Sequence, residues 1–240
     1  LLRLRPGVYH RRAQNVALYG EFNLGNREQF LKGKSLKVNF DPDKKKMYML
    51  ASGTRKFALV PLLRAAGVSD ERMKQELGDA IFESSNAMEK KEGSTVKKIH
   101  QIATGKEASS LDEALTTFKG LLDRTVLDKE TTQTTLERGV DKIDGEVLLK
   151  SAKRLIDMAK GVDDGDDKGS LQFLSIHSAD DLISNRIKET AFRNKRKMLF
   201  RLKNSKKTLK QAVPVREFDK AIRGFFNTSL ASQGDQTNPL

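Results

Sequence analysis

The sequence predicts an α+β fold: a β-rich N-terminal part with a hairpin, a helical excursion after it, and a long basic helix late in the chain. Two periodicities carry that expectation. Between Pro6 and Leu50 the apolar residues come in short runs, one of them alternating. Beyond Leu50 the apolar spacing lengthens to that of helices. A third observation divides the chain by charge: from Glu107 to Asp181, 17 acids stand against 10 bases, net −7, whereas from Leu182 to Arg223, 14 bases stand against 3 acids, net +11.

The elements follow in order. Val16-Ala17-Leu18-Tyr19, Leu36-Lys37-Val38-Asn39-Phe40 and Met47-Tyr48-Met49-Leu50 read as strands. Asp41-Pro42-Asp43-Lys44 between the last two is turn chemistry, because proline presets φ, so Leu36 to Leu50 reads as a hairpin. Leu59 to Ala66 reads as a short helix with Pro61 in its first turn and Gly67 just past its end. Ser69 caps a second helix reaching about Phe82. Ser110 and Glu113 form a capping box that opens a helix over Leu111 to Leu122. Asp144 caps another through Lys160, and Gly161 to Ser170 reads as a solvated acidic loop. Ser178 and Asp181 form a further capping box, opening the longest helix, which runs to about Lys203. On it Ile183, Ile187, Ala191, Met198 and Leu202 fall within an arc of about 100°, as a buried stripe would. Arg186, Arg193 and Lys197 fall within about 40° of one another on a neighbouring face. A shorter helix over Val215 to Phe226 follows Pro214.

Composition narrows the function. The 45 Lys and Arg against 32 Asp and Glu leave +13 at pH 7, a balance that favours polyanionic partners such as nucleic acid or an acidic protein. Zero cysteines exclude a thiol nucleophile, a disulfide and a thiolate zinc site. No apolar run approaches the roughly 20 residues that cross a bilayer. The basic stretch Leu1 to Arg12 lacks the apolar core of a signal peptide. A soluble, cytoplasmic chain is expected. It opens on Leu rather than Met and stops at Asn238-Pro239-Leu240 with no closing element, so a piece of a longer polypeptide is expected as well.

Several motifs invite chemistry and are answered by simpler readings. Gly33-Lys34-Ser35 resembles the end of a phosphate-binding loop, but Glu28 occupies the place of the required glycine, where a carboxylate repels phosphate. Asp163-Asp164-Gly165-Asp166-Asp167 offers oxygens to a hard cation, and a metal-dependent hydrolase acting through Asp164 or Asp166 is one rival reading. The stretch lacks calcium-loop spacing and the closing glutamate. His10, His100 and His177 are too far apart in sequence to read as a zinc or triad motif, and structural or surface roles suit them better. Lys195-Arg196-Lys197 and the bases through Lys210 suit phosphate contacts, each of which releases counterions. A solvated helix face is the plain alternative.

Separated stretches resemble, in order, the second-largest (β) subunit of cellular multisubunit RNA polymerases. Pro6-Gly7-Val8-Tyr9 resembles that family's Ser-Pro-Gly-Val-Tyr/Phe segment. Phe40-Asp41-Pro42, Arg55-Lys56 and Leu62-Leu63-Arg64-Ala65-Ala66-Gly67 resemble its Phe-Asp-Pro, Arg-Arg-Lys and Leu-Leu-Arg-Ala-Leu-Gly sequence. Asp166-Asp167, Ser178-Ala179-Asp180-Asp181-Leu182 and the basic helix to Leu202 resemble the segment that leaves the lobe. Phe225-Phe226 through Ser232-Gln233-Gly234-Asp235-Gln236-Thr237-Asn238-Pro239-Leu240 resembles the family's Phe-Phe stretch ending in Asp-Gln-Thr-Asn-Pro-Leu. The similarity spans the chain and is weak from about Ser84 to Asp163.

The resemblance implies a β-subunit segment: 1–25 connecting from the protrusion, 26–177 the lobe, 178–224 a basic helical return, and 225–240 the start of the fork region. Such a segment walls the DNA cleft and RNA–DNA hybrid channel and is not catalytic alone. The family's Mg2+ belongs to the partner β′-like subunit, which carries an Asp-Phe-Asp-Gly-Asp motif, so no cofactor or metal is expected here. The implied partners are template DNA, nascent RNA, and β′-like and other polymerase subunits. The implied nucleic-acid contacts are Arg55, Lys56, Arg186, Arg193, Lys195, Arg196 and Lys197, with Gln233, Asp235 and Asn238 along the hybrid channel. Gly234 stands where the family has Phe-Met, and Phe173-Leu174 where bacterial members have a basic pair. That divergence suits a phage or mobile-element polymerase, which would place the chain in a host-cell cytoplasm. The alternative expectation is a free-standing basic helical protein that binds nucleic acid.

Overall fold

The computed structural model of this chain describes residues 2–13, 18–25, 31, 36–51, 55–89, 91–204 and 217–227. Contacts divide it into two bodies, Leu4–Leu174, and Leu1–Arg3 with Ser175–Leu240. In the first body, strands β2 (Gly7–Arg12), β3 (Leu18–Asn23), β4 (Leu36–Asp41), β5 (Lys46–Ala51) and β6 (Arg55–Ala58) form one antiparallel sheet in sequence order. Two further short strands, β1 (Leu2–Leu4) and β7 (Leu174–Ile176), pair with each other. The fold is α+β, as the periodicities predict.

Alternation sets the register of the sheet. Leu36, Val38 and Phe40 of β4 are buried while Lys37, Asn39 and Asp41 are not, and Met47, Met49 and Ala51 of β5 share the buried face. Val38 stands opposite Met49, and Phe40 opposite Met47. The expected hairpin is present: the Lys44 N–H donates to Asp41 Oδ1 at 3.2 Å and the Lys45 N–H to the Pro42 carbonyl at 3.3 Å. Of the run expected at Val16 to Tyr19, the first two residues lie outside the described residues, and Leu18 and Tyr19 open β3.

Helices pack on that apolar face. Helix α1 (Leu59–Ala65) follows β6 directly, with Leu59, Leu62 and Leu63 fully buried, and ends as expected at Gly67, which has φ +93°. Helix α7 (Gly145–Ala159) is capped by the Asp144 carboxylate, which accepts from the Val147 N–H at 2.8 Å. It buries Val147, Leu148 and Leu155 completely. Removing such a side chain from water is worth about 1.5–3 kcal/mol. The helix expected from Ser69 to Phe82 is two helices, α2 (Asp70–Leu77) and α3 (Asp79–Asn86), broken at Gly78. Gly78 has φ +82°, a conformation only glycine adopts without strain, and its N–H closes α2 on the Lys74 carbonyl. Helix α5 (Leu111–Asp123) opens on the expected box: the Glu113 N–H donates to Ser110 Oγ at 3.1 Å, and its carboxylate accepts from the Ser109 N–H at 2.8 Å.

Two helices are only weakly signalled in the sequence. Helix α4 (Ser94–Thr104) starts after Gly93, at φ +71°, and its first turn is capped from outside, the Thr95 N–H donating to Glu89 Oε1 at 2.9 Å. Helix α6 (Lys129–Leu136) is threonine-rich and low in helix propensity. Its threonine hydroxyls bond back onto the helix, Thr132 to the Asp128 carbonyl and Thr135 to the Thr131 carbonyl, each at 3.0 Å. The Asp128 carboxylate caps it by accepting from the Thr131 N–H.

The second body holds α8 (Ala179–Asn204), one residue past the expected start, and α9 (Glu217–Phe226), which pack on each other. Val215, in the expected start of α9, lies outside the described residues. The apolar stripe expected to be buried on α8 is not. Ile187, Ala191 and Leu202 are exposed, Ile183 and Met198 are half-buried, and the buried residues are Leu182, Thr190 and Asn194. Length is the reason: at 1.5 Å per residue α8 is about 39 Å long and α9 about 15 Å, so one short neighbour leaves most of α8 uncovered.

Two glycines give opposite expectations. A Cβ at Gly145 would lie 2.7 Å from Val68 Cγ2 and 3.0 Å from the Ala66 carbonyl, whereas Gly120, inside α5, faces open space. Urea unfolding of Gly145→Val is expected to show a loss of about 1–3 kcal/mol from overpacking. Gly120→Ala is expected to gain about 0.5–1 kcal/mol through helix propensity.

Candidate nucleic-acid interface

Helix α8 is fixed at its start by Ser178 and Asp181, whose carboxylate accepts from the Ser178 N–H at 3.3 Å and from its hydroxyl at 3.1 Å. Asp180 and Asp181 lie in the first turn and Arg201 and Lys203 in the last, both favourable to the helix dipole. Between Leu182 and Asn204 the sequence has eight bases and one acid, Glu189. Arg186, Arg193, Lys195, Arg196 and Lys197 are all exposed. Arg193 Nη2 reaches Thr190 Oγ1 at 3.5 Å, and the Arg196 guanidinium lies 5.7 Å from the Phe192 ring centre. Among the described side chains no carboxylate pairs with Arg186, Arg193, Lys195 or Arg196. Arg186, Arg193 and Lys197 lie along one side of α8, while Lys195 and Arg196 lie on others, so the five encircle the helix rather than share a face.

In the first body, Arg55 and Lys56 are exposed on β6, the edge strand of the sheet. The fold sets them beside α4, forming a groove of about 250 Å3 lined by Arg55, Lys56, Phe57, Lys98, Gln101 and Ile102. Lys56 Nζ sits 4.6 Å above the Tyr48 ring, which orients it without neutralising it. The groove holds three cations and no carboxylate. Lys98 and Gln101 are absent from the residues that the sequence singles out, because α4 has no conventional cap to reveal it.

The acidic loop departs from expectation. Asp164 and Asp167 are exposed, but Asp163 and Asp166 are paired inward rather than solvated. Arg154 Nε donates to Asp163 Oδ2 at 2.6 Å, and Arg154 Nη1 donates to Asp166 Oδ2 at 3.0 Å and to the Thr135 carbonyl at 2.5 Å. Asp166 Oδ2 also accepts from the His10 backbone N–H at 2.7 Å. His10 Nδ1 lies 3.2 Å from that same oxygen, and Nε2 lies 2.9 Å from Ser151 Oγ. Carboxylate, imidazole and hydroxyl thus stand in the order of a nucleophile triad. The arrangement cannot meet a substrate, because His10 and Ser151 are both fully buried and a Cβ at Gly20 would come within 2.6 Å of the Ser151 hydroxyl. Its role is to tie β2 to α7 and to the loop. The long sequence separation of His10 and Ser151 hides the cluster from a motif search.

The other sequence candidates are quickly placed. His100 is buried and its Nδ1 lies 2.8 Å from Thr117 Oγ1, while His177 lies 3.8 Å from Asp181. Among the described residues no three of His, Asp or Glu converge as metal ligands, and no described helix is long and apolar enough to cross a membrane. Gly33-Lys34-Ser35, the bases from Lys206 to Lys210, and Gln233, Asp235 and Asn238 lie outside the described residues. No protein-family model and no curated protein matches this chain.

Titration of the buried cluster has one sign throughout. Burial holds the His10 imidazole below its ordinary 6.5. Burial alone would raise Asp166, but hydrogen bonds from His10 and the Arg154 charge outweigh it and leave the carboxyl below its ordinary 3.8. Asp163 is lowered by the hydrogen bond from Arg154. For each group the unfolded chain takes the proton first, so stability rises with pH across its range. The His10 contribution is complete above pH 6.5 and is lost as pH falls below that value. The carboxylate contributions are complete above their ordinary values and are lost as pH falls through the lowered ones. The urea midpoint is therefore expected to fall as pH drops below 6.5, and again in the carboxylate range. Asp166→Ala, which takes one of two carboxylates from the half-buried Arg154 and leaves the His10 N–H groups without their acceptor, is expected to cost about 1–3 kcal/mol at pH 7 and to flatten the lower acid limb.

Proposed function

We propose that this chain is a non-catalytic segment of an RNA polymerase β-like subunit that lines a nucleic-acid cleft. The observation that carries the reading is the state of the cations that the resemblance singles out. Arg55 and Lys56, and Arg186, Arg193, Lys195 and Arg196, are exposed and have no carboxylate partner among the described side chains. Phosphates are the partner that such a surface lacks. The resembling motifs also fall at structural corners: Phe40-Asp41-Pro42 enters the β4–β5 turn, Leu62 to Gly67 forms most of α1 and its terminal turn, and Ser178 bonds to Asp181 at the start of α8. On this reading phosphoryl transfer and its Mg2+ belong to a β′-like partner, and template DNA and nascent RNA run past the cationic surfaces.

The cations that ring α8 favour a second reading, a free-standing basic protein that binds nucleic acid through that helix. Purification from the native source separates the two. The first requires a large subunit bearing Asp-Phe-Asp-Gly-Asp in stoichiometric company with this chain, and its absence overturns that reading.

Both readings predict salt-dependent binding of DNA by the chain itself. Arg186→Ala/Arg193→Ala/Lys197→Ala is expected to weaken all sequences alike and to lower the slope of log K against log salt by about 2–3. Arg55→Ala/Lys56→Ala/Lys98→Ala is expected to do the same. Fluorescence anisotropy across a salt series checks this, and unchanged slopes in both variants would refute a polyanion surface.

A further inference from the structure

Two of the large apolar residues left uncovered on α8 share one line along the helix, while Phe200, 67% exposed, lies about 90° round from them. Phe192 is 64% exposed and Leu199 56%, and at seven residues' spacing they lie about 20° apart on the helix. Lys188 and Lys195 flank this pair on one side, Arg196 and Lys203 on the other, all exposed. Leu202, also exposed, lies about 60° round from Leu199, past the row of Lys188 and Lys195. This face is about 130° from the side that carries Arg186, Arg193 and Lys197. It is also distinct from the side of Thr190 and Asn194. Exposed Phe and Leu side by side on a helix describe an element that lacks some of its protein neighbours.

We propose that the Phe192–Leu199 face of α8 is a docking site for an amphipathic helix of a partner protein, apolar along its centre and lined by Asp or Glu on both edges. The inference goes beyond the nucleic-acid reading: it is centred on a different side of α8 and takes Lys195 and Arg196 as its rim, leaving Arg186 and Arg193 to phosphate. Charge complementarity fixes the occupant's rim, because cations border the stripe on both sides and the only acid between Leu182 and Asn204 is Glu189. The stripe fixes its centre, with anchors at heptad spacing that an opposing helix matches. Single-stranded nucleic acid is the competing occupant, with bases stacked on Phe192. It leaves Leu199 and Leu202 with no stacking partner, and a single backbone tracks one row of cations rather than two.

The test uses the 240-residue chain and a fluorescein-labelled synthetic peptide of three heptads, with Leu at a and d and Glu at e and g. Saturable binding is expected by anisotropy. Phe192→Ser/Leu199→Ser is expected to weaken it at least about tenfold, as loss of central anchors does. Arg196→Glu/Lys203→Glu is expected to lose this peptide and to gain one with Lys at e and g, a switch that a misfolded variant cannot produce. Arg186→Ala/Arg193→Ala is expected to weaken DNA binding and leave the peptide unaffected, so the two readings fail separately. The proposal is overturned by no peptide binding at about 1 mM, the weak end of specific association. It is equally overturned if oligo-dT displaces the peptide stoichiometrically, or if the chain forms a dimer that Phe192→Ser/Leu199→Ser abolishes.

Discussion

Arg154 stands where three segments far apart in sequence must close on one another. From α7 it holds Asp163 and Asp166 of the acidic loop, the Thr135 carbonyl of α6, and through Asp166 the backbone and ring of His10 on β2. The Asp166 side chain is 5% exposed and that of His10 is fully buried. A buried carboxylate is tolerable only with a charge and several donors around it, and a buried imidazole only when its nitrogens have partners. The sheet that carries Arg55 and Lys56 and the helix layer that faces it are therefore joined by a polar cluster at one end. Apolar packing, as of Leu148 and Leu155, joins them elsewhere. The resemblance of this cluster to a catalytic triad reflects the same demand: imidazole between a carboxylate and a hydroxyl is the cheapest way to bury all three.

The same pairing explains where the positive charge is left over. Several acids of the net-negative middle are paired within the first body. Asp144 takes Arg138 at 2.7 Å, Asp163 and Asp166 take Arg154, and Asp128 is 3.8 Å from Arg5. Outside that stretch Glu76 takes Lys153 at 2.7 Å and Arg72 at 3.2 Å, and Glu21 takes Lys168 and Lys37. Arg55, Lys56 and Lys98 at the β6–α4 groove, and Arg186, Arg193, Lys195 and Arg196 on α8, have no carboxylate partner among the described side chains. Exposed charges are screened beyond about 8 Å at physiological salt, so local clusters, rather than the overall +13, decide where a polyanion binds.

Much of the fold was legible in the sequence, and the failures have specific causes. The β4–β5 hairpin, α1, α5, α7 and α8 announce themselves through alternation, proline and glycine placement, and capping side chains, all local signals. Helices α4 and α6 are harder to read: one takes its cap from Glu89, five residues before its first turn, and the other, though capped by Asp128, is threonine-rich in a composition that disfavours helix. Missing α4 also hid Lys98 and Gln101, since their place beside Arg55 depends on tertiary packing. The acidic loop misled because its composition says nothing of Arg154. The stripe on α8 misled because periodicity shows which face is apolar and not whether anything covers it.

Helix α8 carries the consequence furthest. A helix of 26 residues that rests on one of ten must offer the rest of its surface to something else. Its three sides differ in kind. Thr190 and Asn194 are buried, Arg186 and Arg193 are cationic and without described carboxylates, and Phe192 and Leu199 are apolar between two rows of bases. A solvated helix has no reason to keep Phe192, Leu199 and Phe200 more than half exposed, since each costs hydration without packing. A purely nucleic-acid-binding helix has no use for two leucines among its cations. Under the two proposals, Arg186 and Arg193 face a polyanion and Phe192 and Leu199 face another protein.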